Sequence, residues 1–294
     1  MRLLSRIISC AFEEKVVSKT ILLIGGTSSG KTHFGAQLLS RLQTRTGRLQ
    51  LREAPKNVAL FEATLQRLGQ GLSSDHTESG LYGEVVLPAV GKSGQTVDLV
   101  WPDYAGEQLT GERGIAEVRT VPAHWMNRIA LSDHWILMVR PMSATTEEDL
   151  LNRPLHSDPA LSSNKKQHPV FSAQSQLIEL LQILRHVKGV NNLTPARIPR
   201  MLVLLSCWDE LPVQSAPPNE ILADRLPMLH AFLKANWLAD SLLIYGLSSL
   251  GKSLSSLKAD TEYRNHGPES FGFVVLPRGE QVLDLTLPVA NLAQ

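Results

Sequence analysis

The sequence predicts an α/β fold with three layers, in which the sheet is mostly parallel and has one antiparallel edge strand. Short apolar runs alternate along the chain with segments of helical periodicity, which is typical of a sheet with helices on both faces. One pair of runs is separated by a compact turn and predicts the antiparallel strand. The 294 residues, of which 43% are hydrophobic, are sufficient to bury the core of one large domain.

The strands and helices are predicted from these two periodicities. Six apolar runs are predicted to be strands, at residues 21–25, 84–88, 97–102, 135–140, 201–206 and 242–247. Helical periodicity marks residues 32–44, 118–131, 173–187 and 219–237. The turn GKSGQ predicts that the second and third strands form a hairpin at a sheet edge. Near the end of the sequence, FGFVVLP predicts one more strand.

The predicted domain organisation has one main unit and two flanking segments. Residues 20–277 form the main domain, 1–19 an N-terminal extension and 278–294 a C-terminal apolar tail. Residues 143–172 are polar and rich in Pro and Ser, so they predict a flexible surface insertion. The N-terminal extension has helical apolar spacing and leaves two interpretations: an amphipathic surface helix, or a terminal helix or strand packed on its own domain.

Composition restricts the partners and the compartment. Lys and Arg number 29 and Asp and Glu 28, so the net charge of +1 creates no overall field for nucleic acid or an anionic membrane. Two cysteines cannot form a disulfide framework, and no Cys/His cluster has metal-ligand spacing. No transmembrane segment and no signal-peptide cleavage site are visible, so we expect a cytoplasmic protein.

The segment GGTSSGKT fits the phosphate-binding pattern G-x-x-x-x-G-K-[ST] between a predicted strand and a predicted helix. Such a loop directs backbone N–H groups at phosphates, and the helix N-terminus adds partial positive charge. Gly25 and Gly30 permit backbone conformations that a Cβ would resist. Lys31 is predicted to neutralise β- and γ-phosphate oxygens, and the Thr32 hydroxyl to bind Mg²⁺. The other residues predicted to contact the nucleotide here are Ser28, Ser29 and His33.

The segment WPDYAGEQ resembles the D-x-x-G element with which GTPases hold Mg²⁺ and sense the γ-phosphate, through Asp103 and Gly106. Glu107 stands where Ras-like proteins commonly have Gln, and a carboxylate beside the γ-phosphate predicts slow intrinsic hydrolysis. Thr77 is predicted to bind Mg²⁺ from a mobile loop before the edge strand. Thr64 is the competing candidate, but its segment looks helical.

Two later strand ends are predicted to read the base. The run MLVLLSCWDEL resembles the N/T-K-x-D element, so Asp209 is predicted to accept hydrogen bonds from guanine N1–H and the 2-amino group. Ser206 and Cys207 replace Asn and Lys, so Cys207 or Trp208 must supply the surface along which the base lies. The run LLIYGLSSLGK resembles the S-A-x loop whose backbone amide contacts guanine O6, through the residues Ser248, Ser249 and Leu250.

With these motifs the chain resembles the bacterial double-GTPases of predicted conflict and defence systems, relatives of the Ras-like GTPases. The resemblance rests on GGTSSGKT, WPDYAGEQL, HWILMVRP, LSCWDEL and YGLSSLGK, and it spans residues 20–277. It implies a Ras-like P-loop GTPase fold, with GTP or GDP and Mg²⁺ as ligands. It also implies operation beside a second GTPase or an effector encoded nearby.

Three functional hypotheses follow. The first is a GTP-dependent molecular switch with slow Mg²⁺-dependent hydrolysis, which acts by changing its partner. The second is a P-loop ATPase or a small-molecule kinase, and the third is a pseudo-GTPase scaffold that binds nucleotide without turnover. Asp209 and Ser248 predict guanine, so base preference separates the first hypothesis from the second. Lys31, Thr32 and Asp103 argue against a loss of Mg²⁺-nucleotide binding.

Overall fold

The computed structural model describes residues 18–74, 84–101, 109, 114–142, 172–212 and 215–294. The described residues form these strands, in chain order: β1 (Lys19–Gly25), β2 (Leu49–Leu51), β3 (Val85–Gly91), β4 (Thr96–Trp101), β5 (His134–Val139), β6 (Arg200–Leu205), β7 (Leu242–Ser248), β8 (Phe273–Val275) and β9 (Gln281–Val282). Their helices are α1 (Lys31–Thr44), α2 (Ala59–Gly69), α3 (Ile115–Val118), α4 (Ala123–Leu131), α5 (Ala173–Lys188), α6 (Pro218–Arg225), α7 (Pro227–Asn236), α8 (Thr261–His266) and α9 (Leu287–Leu292). Short 3₁₀ turns occur at Trp208–Glu210, Ala239–Ser241 and Pro268–Ser270.

All of these strands belong to one sheet, in the order β2-β3-β4-β1-β5-β6-β7-β8-β9. The five central strands from β4 to β7 run parallel, and each edge carries two antiparallel strands. The predicted α/β fold with a mostly parallel sheet is therefore confirmed, as is the β3–β4 hairpin. The sequence predicted one antiparallel edge strand, whereas each edge of the sheet has two antiparallel pairings. The strands β2 and β9 were not predicted because they are too short to show a period of two.

The two faces of the sheet explain why its central strands are continuous apolar runs. Alternate side chains of β1 enter opposite cores, because successive residues of a strand point to opposite faces. Leu22 and Ile24 pack with helices α3 to α7, whereas Ile21 and Leu23 pack with α1, α2 and α9. Every residue of β5 is buried, as expected for a parallel strand covered on both sides.

Two predicted helices are interrupted, and in both places the prediction of one continuous helix is wrong. Residues 219–237 form α6 and α7, separated at Leu226. Pro227 cannot donate a backbone hydrogen bond and would clash with the preceding turn, so a new helix begins there. Within residues 118–131, α3 ends before Arg119, whose φ of 55° is left-handed, and α4 follows Pro122.

The C-terminal residues 278–294, predicted to be an apolar tail, contribute β9 and α9 to the fold. Val289 and Leu292 are fully buried. The last turn of α9 is held by two cations from the start of central strands: Lys19 Nζ donates to Ala293 O, and Arg200 Nη1 donates to Leu292 O at 2.9 Å. Cations at a helix C-terminus satisfy carbonyl groups that lack helical partners.

The predictions for the N-terminal extension and for most of the insertion lie outside the described residues, which omit 1–17 and 143–171. Ser172, the last residue of the predicted insertion, is the N-cap of α5, where its side chain accepts from the N–H of Ser175. No helix in the described part of the chain is long and apolar enough to cross a membrane.

Candidate nucleotide-binding site

The loop between β1 and α1 has the tight turn that the phosphate-binding pattern predicts. Gly30 precedes α1 with φ of 81°, and Ser28 has φ of 58°. A Cβ on Gly25 would lie 2.7 Å from Ser29 Oγ and 3.0 Å from the carbonyl oxygen of Met138 on β5. Only glycine fits between these atoms without a shift. Ser29 Oγ in turn donates to Gly26 O at 2.8 Å, which closes the loop on itself.

The first turn of α1 is electrostatically suited to an anion. The N-terminus of a helix directs its first N–H groups away from the helix, and the first turn of α1 has no acidic residue. Lys31 Nζ donates to Gly25 O at 2.8 Å and Gly26 O at 2.7 Å, so the ammonium group lies over the loop. Burial lowers the pKa of Lys31 to about 8. A phosphate oxygen beside Nζ would favour the charged ammonium and oppose this shift.

The next two residues of α1 face different tasks. Thr32 is half-buried in the first turn, beside Lys31. His33 Nε2 accepts from the backbone N–H of Ser74 at 3.1 Å and lies 3.0 Å from Ser74 Oγ. Burial lowers the pKa of His33 to about 4, so the ring is neutral at pH 7. The His33 side chain therefore holds the segment that follows α2.

Trp101 is a structural partner of the phosphate loop that the sequence did not single out. It ends β4, and its Nε1 donates to Lys31 O at 3.4 Å. Its ring contacts Phe61 edge-on at 5.4 Å between centroids and lies 6.1 Å from the ring of Phe34. The end of β4 is thereby packed against the first turns of α1. The signal in the sequence was a tryptophan at the very end of an apolar run.

The segment after β6, which the sequence predicts to read the base, differs from the prediction at one residue. Cys207 has φ of 53° and turns the chain into the 3₁₀ turn Trp208–Glu210. The Trp208 ring is fully buried beneath β7, where a Cβ on Gly246 would lie 2.4 Å from it. Its side chain is a core residue and cannot line a base, which leaves Cys207 of the two candidates. Burial raises the pKa of Cys207 to about 11, so it stays a thiol.

Asp209 is joined to the loop that follows β7. Its Oδ1 accepts from Ser248 Oγ at 2.5 Å, and Ser248 Oγ accepts from the N–H of Gly251 at 2.8 Å. Ser248 is fully buried, whereas Asp209 and Leu250 are half-buried. Ser249 is 9% exposed. One hydroxyl group therefore connects the two loops that the sequence predicts to read guanine.

The phosphate loop and the predicted base-reading loop are neighbours at the edge of the sheet that is formed by the carboxyl ends of its central strands. A Cβ built on Gly30 would lie 3.9 Å from Ser206 Cβ and 4.0 Å from Cys207 Sγ. Strands β1, β5, β6 and β7 are adjacent and parallel, so their carboxyl ends meet at this edge. Ligands of open α/β sheets bind outside the carboxyl ends of the strands. We call the loops of residues 25–33, 206–210 and 248–251 the nucleotide edge.

An ion pair beside the nucleotide edge was also not predicted from the sequence. Arg140 follows β5, and its Nε and Nη2 donate to the two carboxylate oxygens of Glu210 at 2.8 and 2.6 Å. The hydrogen bond to Glu210 raises the pKa of Arg140 above its usual value. Two parallel N–H···O bonds fix both distance and orientation.

Four predicted site residues lie outside the described residues: Thr77, Asp103, Gly106 and Glu107. Thr64, the competitor of Thr77, is buried in α2 and donates to Leu60 O at 2.9 Å, so it is a helix core residue. In the described ranges no group of three or more His, Cys, Asp or Glu side chains could hold a metal ion.

Among the comparisons with known proteins, the match to a family model identifies the family of this chain. Residues 22–292 match the family model described as Double-GTPase 1. No curated protein matches the sequence. Among solved structures, a bacterial selenocysteine-specific elongation factor is similar at 13% identity and a TM-score of 0.35, over 79% of this chain and 26% of that one. Sup35 complexed with GDP is similar at 13% identity and a TM-score of 0.36, over 86% of this chain and 44% of that one. This chain spans less than half the length of either.

Proposed function

This chain belongs to the double-GTPase 1 family and binds guanine nucleotide, and from that premise we propose that it is a cytoplasmic molecular switch that hydrolyses GTP slowly. Its loops around Thr77 and Asp103 order when the γ-phosphate is present and release after hydrolysis. The switch then changes its contact with a partner, a second GTPase or an effector encoded nearby. The setting is a bacterial conflict or defence system.

The observation that carries the proposal is the join between Asp209 and Ser248 at the same edge as Lys31. One end of the nucleotide edge offers an ammonium group and helix N–H groups, which suit phosphates. The other offers a carboxylate held by a buried hydroxyl, which suits the N–H donors of guanine. A Cβ built on Gly30 would lie 4.0 Å from Cys207 Sγ, so the two halves adjoin.

In this proposal each residue has a defined task. Lys31 binds β- and γ-phosphate oxygens, aided by the backbone N–H groups of residues 28–33. Thr32, Thr77 and Asp103 hold Mg²⁺, which supplies neutralisation of phosphate charge when bound. The amide of Gly106 senses the γ-phosphate. Asp209 accepts from guanine, Cys207 lies along the base, and the loop of Ser248, Ser249 and Leu250 contacts O6.

The decisive test is base preference in the wild type and in Asp209→Asn. The wild type should bind GTP at least about a hundredfold tighter than ATP, because adenine has no pair of N–H donors that matches the Asp209 carboxylate. Asp209→Asn exchanges one acceptor for a donor, which mismatches guanine and suits the 2-oxo group of xanthine. Competition of GTP, ATP and xanthosine triphosphate against one labelled nucleotide measures this. Equal binding of ATP and GTP by the wild type would favour an ATPase or a kinase instead.

Turnover provides a second test. In the sequence Glu107 stands where Ras-like proteins commonly have Gln, and we expect repulsion between its carboxylate and the γ-phosphate to slow the reaction. The isolated protein should therefore release phosphate far below the roughly 10 per second that is the median for enzymes. A partner should accelerate release by supplying a missing group in trans. The partner can be found by co-purification in the presence of a non-hydrolysable GTP analogue. If the protein shows no turnover even with that partner, it is a pseudo-GTPase scaffold.

A further inference from the structure

The ion pair of Arg140 and Glu210 is placed to control the base-reading turn. Both side chains are mostly shielded from solvent, with exposed fractions of 32% and 24%. Arg140 is the first residue after β5, and β5 lies between β1 and β6 in the sheet. The N–H of Ser206 donates to Val139 O at 2.8 Å, so Arg140 leaves its strand directly beside the loop that contains Asp209.

The turn that carries Asp209 is supported from below by the buried Trp208 ring and from one side by Ser248. Its first two residues, Ser206 and Cys207, are short, although the related motif has Asn and Lys there. The backbone bonds Glu210 N to Cys207 O at 3.0 Å and Leu211 N to Trp208 O at 3.1 Å close a single turn. The long basic side chain that position 207 lacks is present one strand away, at Arg140.

Asp209 is therefore flanked on two sides. Ser248 from the β7 loop donates to its Oδ1, and the next residue, Glu210, is gripped by Arg140 from β5. Neighbouring carboxylates repel each other, and Arg140 neutralises one of them. The hydrogen bond that Arg140 donates to Glu210 is the main cause that raises the pKa of Arg140, and the negative charge of Asp209 adds to it.

We propose that Arg140 is a positioning residue for guanine selection, which acts through Glu210 to hold the Asp209 carboxylate toward the Watson–Crick edge of the base. The inference rests on the proposed function, because it requires that Asp209 reads guanine. Arg140 contributes to selectivity and not to phosphate binding. Its loss frees Glu210 as a second negative charge beside Asp209, and the turn is left with the backbone bond from Ser206 to Val139 as a link to β5.

The experiment compares GTP, inosine triphosphate and ATP. Inosine lacks the 2-amino group of guanine, so it makes one fewer hydrogen bond to Asp209. Arg140→Gln should weaken GTP about tenfold, inosine triphosphate less, and ATP not at all, which reduces the ratio between the first two. Glu210→Gln should cause a smaller shift in the same direction, because a neutral amide still accepts one bond from Arg140. Melting curves without nucleotide establish that each variant is folded.

A double-mutant cycle distinguishes positioning from a general structural role. If Arg140 acts through Asp209, Arg140→Gln should cause no further loss of GTP in an Asp209→Ala background. Arg197→Gln, which breaks an exposed ion pair with Asp240 at the opposite edge of the sheet, is the matched control and should leave all three affinities unchanged.

The outcomes separate the inference from the proposed function. Equal losses for GTP, inosine triphosphate and ATP in Arg140→Gln, no loss for any of them, or additive losses in the cycle would overturn the role of Arg140 alone. A wild type that does not prefer GTP to ATP would overturn the proposed function as well. Should Arg140→Gln fail to fold, the same three ratios in Glu210→Gln decide the question.

Discussion

The phosphate side and the base side of the nucleotide edge are built in different ways. On the phosphate side the side chains of the loop itself make local contacts: Ser29 and Lys31 bond to carbonyl groups three to six residues away, and the flanking contacts from Ser74 and Trp101 come from farther along the chain. On the base side Asp209 meets a residue 39 positions away, and Glu210 meets one 70 positions away. A backbone cradle needs its glycines and lysine in one order, whereas a site assembled from side chains of three strands tolerates replacement of its motif residues.

The largest effect that this comparison predicts is on the phosphate side. Lys31→Ala removes a charged donor from the phosphates, and two charge-assisted hydrogen bonds are worth roughly 3–6 kcal/mol. Affinity should fall at least about a hundredfold for GTP and ATP alike, because the phosphates are common to both. Nucleotide titration measures the loss, with Lys234→Ala on α7 as the control. A loss confined to GTP would contradict the division into two sides.

Gly246→Ala tests the support beneath the base side. The added Cβ would lie 2.4 Å from the buried Trp208 ring, so either β7 or the turn Trp208–Glu210 must shift. Overpacking of this kind costs about 1–3 kcal/mol of unfolding free energy. Thermal melting should show a lower midpoint, and GTP should be weakened more than ATP. Gly69→Ala, at a glycine with open space around its Cβ position, serves as the control. An unchanged midpoint would mean that the Trp208 ring does not fix the turn.

Ser248→Ala should have the smallest effect of the three. It removes the hydroxyl group that joins Gly251 N–H to Asp209, while the backbone of the loop remains. One hydrogen bond to a charged group is worth about 1.5–3 kcal/mol, and part of that returns when water replaces the hydroxyl. GTP affinity should fall about tenfold and ATP affinity should not change. An equal loss for both nucleotides would show that Ser248 supports the phosphate side too.

The sequence was sufficient to predict the centre of the fold. Parallel strands buried on both faces must be apolar throughout, so β1, β5, β6 and β7 stand out as runs. The edges were not visible in this way. Strand β2 has three residues and β9 has two, and their places depend on long-range pairing with strands that the local pattern does not specify. Pro122 and Pro227 are sequence signals for the helix breaks. They were overlooked because the apolar periodicity continues across them.

Within the candidate site, the phosphate loop followed from the sequence because its glycines, lysine and threonine are contiguous. The partners of the base side did not, because Arg140 and Glu210 are joined only by the fold. Trp208 was misassigned for a related reason. Its position in the motif places it beside Asp209, but the backbone turn at Cys207 directs the ring inward, against a glycine of β7.

The bonds from Lys19 and Arg200 to the last turn of α9 have a consequence for folding kinetics. Lys19 and Ala293 are separated by 274 positions, so the side chain that begins β1 bonds to a residue near the C-terminal end of the described chain. Contacts this distant in sequence slow folding, since the entropy of closing the loop is lost before the contact forms. A chain emerging from the ribosome must wait until residue 293 is available. Until then β1 and β6, which carry the phosphate loop and the predicted base-reading turn, expose the apolar surface that α9 later covers. Exposed apolar surface of this kind makes a folding intermediate prone to aggregation. Chaperones protect large domains during this interval.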